Sequence, residues 1–153
     1  MYIQKIIATG FGSGYSPIAP GTAGALLAVL LWGVLYLLLP FHLLLVVTAI
    51  LILLFTIAGI WAANSLEAVW GKDPSKVVVD EIVGVWIALL GVAEGNIYHI
   101  LLAFVFFRLF DIFKPLGIRR MEKLKGGLGV MMDDILAGIY SLILLLGIRY
   151  VTG

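Results

Sequence analysis

Residues 41–63 read FHLLLVVTAILILLFTIAGIWAA, without one Asp, Glu, Lys or Arg. As an α-helix this stretch is about 35 Å long, enough to cross a hydrocarbon core of about 30 Å. The whole chain shares its character. Of 153 residues, 63% are hydrophobic and 12% charged, and the mean hydropathy is +1.16. Such usage excludes a soluble globular domain and makes lipid the expected solvent. The length allows a single membrane-embedded domain, 1–153, with no separate soluble module. Cys is absent, which excludes disulfides, thiolate catalysis and thiolate metal sites.

Working outward from residues 41–63, further apolar segments follow the same logic. Residues 23–39 form a shorter span that stops at Pro40. After residue 63 the helix continues through Asn64, Ser65 and Glu67 to a glycine cap at Gly71. Asp73-Pro74 reads as an N-cap followed by proline at the first helical position, which starts a third helix over 74–93 with Asp80 and Glu81 about two turns in. Glu94-Gly95-Asn96 is a turn. A fourth helix over 97–113 carries Arg108 and Asp111 and stops before Pro115. A fifth covers 130–151. The reading is an all-α, polytopic integral membrane bundle of about five membrane-embedded helices. Residues 1–9 make a poor signal peptide, having no long apolar core before a small-residue cleavage site.

Charge sets the orientation. With a cytoplasmic N-terminus, Lys5, Lys72, Lys76, Lys114, Arg119, Arg120, Lys123 and Lys125 fall inside, against Arg149 alone outside. The same arrangement gathers every unusual segment at the cytoplasmic helix ends. The run Arg119, Arg120, Lys123, Lys125 suits an interface with anionic lipid heads. His42 and His99 fall at the outer end, away from the acids, so neither suits a general base.

Asp80, Glu81, Asp111, Asp133 and Asp134 come from three helices, in segments where an unpaired charge is expensive. A hard cation such as Mg²⁺ takes a few carboxylates together with water and phosphate oxygens. Adjacent acids diverge by about 100° on a helix, so one of each pair is expected to bind the ion and the other to orient a neighbour. Glu67, Asp73, Glu94 and Glu122 read as caps or interfacial partners. Arg108 and Lys114 are i,i+3 neighbours of Asp111, which fits salt bridges. An arginine set well before the helix end also fits a bidentate phosphate contact. The loop over 10–22, rich in Gly and Pro, is either a linker or a backbone-donor loop for an anion, with Ser13 and Thr22 as added hydroxyls. The nucleophile is either a metal-activated water or an aspartate acting covalently.

Four blocks carry a family resemblance: Gly10-Phe-Gly-Ser-Gly-Tyr-Ser-Pro-Ile-Ala-Pro-Gly-Thr22, Val78-Val-Asp-Glu-Ile-Val-Gly84, Phe107-Arg-Leu-Phe-Asp-Ile-Phe-Lys-Pro115 and Gly126-Gly-Leu-Gly-Val-Met-Met-Asp-Asp-Ile-Leu-Ala-Gly138. In order and spacing they resemble the signatures of phosphatidylglycerophosphatase A, a family of small bacterial inner-membrane enzymes. The resemblance implies Mg²⁺-dependent hydrolysis of phosphatidylglycerophosphate to phosphatidylglycerol and inorganic phosphate at the cytoplasmic face. It matches Asp80, Glu81, Asp111, Asp133 and Asp134 to the family's acidic positions. The mechanism expected from this takes Asp80, Asp111, Asp133 and Asp134 as catalytic, these four with Glu81 as metal ligands, and Arg108, Lys114, Ser13, Thr22, Gly126 and Gly127 as substrate contacts. Partners are the lipid substrate and membrane lipids; no nucleic acid is expected, and the oligomeric state is open. Leu116-Gly117 departs from the family, which often has a second proline there, and Ala25 replaces a common serine. The alternative from another class is an ion or metal transporter using the embedded carboxylates. Against it, the outer halves of the helices are almost wholly apolar. A lipid synthase of the Asp-Gly, Ala-Arg type ranks last, since its motifs are missing.

Overall fold

A computed structural model describes residues 2–72 and 74–152. Among them the chain forms seven α-helices, one 3-10 turn at Ser13–Tyr15 and no strand. The helices are α1 (Tyr2–Ala8), α2 (Pro20–Leu38), α3 (Phe41–Trp70), α4 (Val79–Leu89), α5 (Ile97–Phe113), α6 (Ile118–Met121) and α7 (Gly126–Thr152).

The expected five spans reduce to three. Among the described residues, only α2, α3 and α7 are long and apolar enough to cross a membrane. α4 has 11 residues, a length of about 16 Å, half of a hydrocarbon core. It is the buried centre of the bundle: Val79, Asp80 and every residue from Ile82 to Leu89 are buried, against α2, α3, α5 and α7. Its apolar run therefore reflects contact with protein on all sides and not with lipid. α5, with 17 residues, also falls short. By contrast, α3 leaves Val46, Ile50, Leu53, Leu54 and Ile57 more than half exposed, the outer face expected of a helix solvated by acyl chains.

The start of α4 also differs from the sequence reading. Pro74 lies outside any helix, and helical structure begins five residues later at Val79. The N–H of Val78 donates instead to the Ala8 carbonyl, at 2.8 Å, tying this segment to the end of α1. The expected cap at Asp73 lies outside the described residues. Gly14 sits where a Cβ would overlap the Lys76 carbonyl, so the glycine-rich loop packs closely on residues 74–78. α2 and α7 also start earlier than expected, at Pro20 and Gly126 rather than at 23 and 130: proline suits the first helical position, and Asn64 accepts from the Gly127 N–H. Gly71 caps α3 as expected, with φ +80°, and Lys114 ends α5 before Pro115.

Away from the acids, several buried polar groups in the helices find partners. The Trp32 indole donates to Thr48 Oγ1 at 3.1 Å and Thr48 to the Leu44 carbonyl at 2.7 Å. The Trp86 indole donates to the Ala28 carbonyl at 3.0 Å. At one end of the bundle Arg149 donates to the Gly91 carbonyl and Gly95 N–H to the Tyr36 hydroxyl. The opposite end gathers the starts of α2, α4 and α7 and the finish of α5.

Candidate active site

Two glycines bring the acids of α4 and α7 together. A Cβ on Gly138 would overlap the Gly84 carbonyl, and one on Gly84 would meet the Phe107 ring and the Asp134 carbonyl. Backbone thus packs on backbone where the two helices cross. Asp80 precedes Gly84 by four residues and Asp134 precedes Gly138 by four, so each acid stands one turn before the crossing, on the same flank of its helix.

The acids line a cavity of about 420 Å³ at this end of the bundle. Thr22 and Gly21 from the first turn of α2, Asp80 and Glu81 from α4, Arg108 and Asp111 from α5, Lys114, Glu122, and Asp133 and Asp134 from α7 all face it. Glu122, assigned to the interface from sequence, belongs to the wall and reaches Lys114 Nζ at 3.5 Å. No spacing rule reveals it, because α6 folds it back toward α5. Gly21 was also missed; a side chain there would come within 3.0 Å of Glu81 Oε1. Three expected residues lie elsewhere. Ser13 donates to the Thr9 and Gly10 carbonyls within its own loop. Gly126 and Gly127 pack against α3: a Cβ on Gly127 would overlap the Ile60 carbonyl, and its N–H donates to Asn64 Oδ1 at 2.6 Å. That bond satisfies one of the free N–H groups at the start of α7.

Ion pairs order one half of the cavity. Arg108 Nη1 meets Asp111 Oδ2 at 2.8 Å, and Lys114 Nζ meets Asp111 Oδ1 at 3.1 Å and Asp133 Oδ2 at 2.8 Å. Asp133 Oδ1 accepts from its neighbour, the Asp134 N–H, at 2.9 Å. Burial alone would lower the pKa of Lys114, but the hydrogen bond to Asp133 and the charges of Asp111, Asp133 and Asp134 hold its ammonium above the ordinary lysine value. The other half is not paired. Asp80 Oδ1, Glu81 Oε2 and both carboxyl oxygens of Asp134 are buried without a hydrogen-bond partner. Six carboxyl groups and two cationic side chains line the wall among the described residues, a formal shortfall of four positive charges. Buried acids so placed need a cation or protons.

Comparison with known proteins bears on what such a site does. Residues 6–149 match the family model for Phosphatidylglycerophosphatase A. The chain belongs to the phosphatidylglycerophosphatase A family. Relatives that carry this name include one from Haemophilus influenzae, 42% identical over 95% of this chain and 88% of the relative. Another, from Escherichia coli, is 36% identical over 97% and 82%. A protein of Bacteroides thetaiotaomicron, provisionally named a phosphatidylinositol-3-phosphatase, is 61% identical over 99% and 97%. No solved structure matches. As a member of the phosphatidylglycerophosphatase A family, the chain is a phosphatase and a membrane protein.

Proposed function

We propose that the chain hydrolyses phosphatidylglycerophosphate to phosphatidylglycerol and inorganic phosphate, with Mg²⁺ as cofactor, at the cytoplasmic face of a bacterial inner membrane. The observation that carries this reading is the half-paired cavity. Carboxyl oxygens without partners stand beside two cations, at one end of lipid-crossing helices, in a chain of this family.

The donor set fits a hard divalent ion: apart from Arg108 Nε, every buried group without a partner is a carboxylate oxygen. Asp80, Glu81, Asp111, Asp133 and Asp134 are the residues that would hold it. When bound, Mg²⁺ supplies charge neutralisation and polarisation of the phosphoryl oxygens. The chain's own groups do the rest. The Arg108 guanidinium and Lys114 ammonium receive the phosphate oxygens and stabilise charge in the transition state. Thr22 and the first N–H groups of α2 add neutral donors at a helix N-terminus. The acyl chains stay among the exposed apolar faces of the long helices, so the lipid reacts without leaving the bilayer. Eight of the nine Lys and Arg outside the core of α5 sit with the site, which supports placing it inside.

The test is phosphate release by the purified chain in detergent, with and without Mg²⁺, from phosphatidylglycerophosphate, phosphatidylinositol 3-phosphate and phosphatidic acid. Mg²⁺-dependent release, fastest from phosphatidylglycerophosphate, is the expected result. Preference for the inositol lipid would transfer the substrate to the one that the Bacteroides relative's name prints. No release from any of the three would overturn the reading. In the same assay Asp134→Asn is expected to insert normally and lose activity by about 10²-fold or more.

A further inference from the structure

The five acids divide into two overlapping trios. Oxygens of Asp80, Glu81 and Asp134 lie within 4.8 Å of one another, as do oxygens of Asp111, Asp133 and Asp134. The trios differ in what already holds them. In the second, both oxygens of Asp111 are engaged, by Arg108 and Lys114, and both of Asp133, by Lys114 and the Asp134 N–H. A divalent ion there would stand beside the Lys114 ammonium, which lies 2.8–3.1 Å from the same carboxyl groups, and like charges at such range repel strongly. In the first trio, Asp80 is 5% and Asp134 1% exposed, and Asp80 Oδ1, Glu81 Oε2 and both Asp134 oxygens have no partner.

We propose that the site holds a single divalent cation between Asp80, Glu81 and Asp134, and that Lys114 occupies the adjoining trio as a built-in monovalent counterpart of a second ion. This rests on the metal-dependent reading above and divides its ligands. Asp134 is the acid of the α7 pair that touches the ion. Asp133 is a positioning residue that holds Lys114 against Asp111. The arrangement keeps a fixed positive charge on one side of the phosphate and an exchangeable one on the other.

Mn²⁺ titration of the full chain in detergent, with free ion counted by electron paramagnetic resonance and Mg²⁺ as competitor, tests the division. Wild type is expected to bind one Mn²⁺ that Mg²⁺ displaces. Asp134→Asn and Glu81→Gln should each weaken binding at least about tenfold. Asp133→Asn should weaken it much less while phosphate release falls. Lys114→Met should admit a second Mn²⁺. Elution as a monodisperse peak qualifies each variant, and the wild-type stoichiometry requires none of them. Two ions in wild type, or equal weakening by Asp133→Asn and Asp134→Asn, would overturn the division. No ion in wild type would overturn it too, and if phosphate release then proceeds without Mg²⁺ the metal reading falls as well. One tightly held ion without phosphate release would leave the division standing and remove the proposed function.

Discussion

At the scale of the residue, Lys114 concentrates the design. Its backbone is left-handed, with φ +51°, a conformation that costs a residue with a side chain about 1–2 kcal/mol. Pro115 follows and disfavours continuation of the helix, while three carboxyl groups, of Asp111, Asp133 and Glu122, hold the ammonium. Strain at such a point persists because the surroundings over-determine it. Replacing Lys114 by Met should remove the cation that Asp111 and Asp133 share and lower kcat by about 10²–10³-fold, measured as phosphate release. The sign of its titration follows from the same contacts. Its pKa is raised on folding, so its contribution to stability is complete below the ordinary lysine value and is lost only as the pH rises through the higher, folded value. Amine-reactive labelling at pH about 9.5 should therefore modify the exposed Lys123 and Lys125 before Lys114, read by peptide mass. Equal labelling rates would refute that. The pairing with Asp111 was legible as an i,i+3 spacing. The pairing with Asp133 was not, since 19 residues separate them and only the packing of α5 on α7 brings them together.

At the scale of the element, α4 and α7 depend on the Gly84–Gly138 crossing. A methyl group on either has no room, and overpacking of this kind costs about 1–3 kcal/mol. Gly138→Ala should lower thermal stability in detergent and cut phosphate release more than stability alone explains, because the helix displacement moves Asp134. Gly33→Ala, in open space, is the matched control and should leave both unchanged. Long helices were readable: a charge-free run with a glycine cap specified α3, and a helix before Lys114-Pro115 specified α5. α4 was misread for two physical reasons. An apolar run reads the same whether lipid or protein surrounds it, and the bond from Val78 to Ala8 that delays its start joins residues seventy apart in sequence. The acids were legible as a group from their depth. The division between paired and unpaired oxygens was not, since it depends on rotamers.

At the scale of the whole molecule, the bundle has one end dense in charge and one where charge is sparse. His99 accepts from the Ala93 N–H at 3.1 Å and lines a separate cavity with Arg149, remote from the acids. The chain contains no Cys, so single cysteines report sidedness cleanly. With the site facing the cytoplasm, Thr152→Cys should react with an impermeant maleimide on intact spheroplasts, and Lys125→Cys only after lysis. The reverse pattern would invert the topology. The crossing of α4 and α7 also works as a fulcrum placed off centre. From Gly138 the arm to Asp134 is one turn, about 5 Å, whereas the arm to Arg149 is about 16 Å. A rocking of about 10° then shifts the acids by roughly 1 Å and the far end by roughly 3 Å. Thicker or thinner bilayers tilt long helices, and the short arm shields the reacting groups from that tilt. Turnover in vesicles of graded acyl length should accordingly vary little, leaving the enzyme indifferent to the thickness of the membrane that holds it.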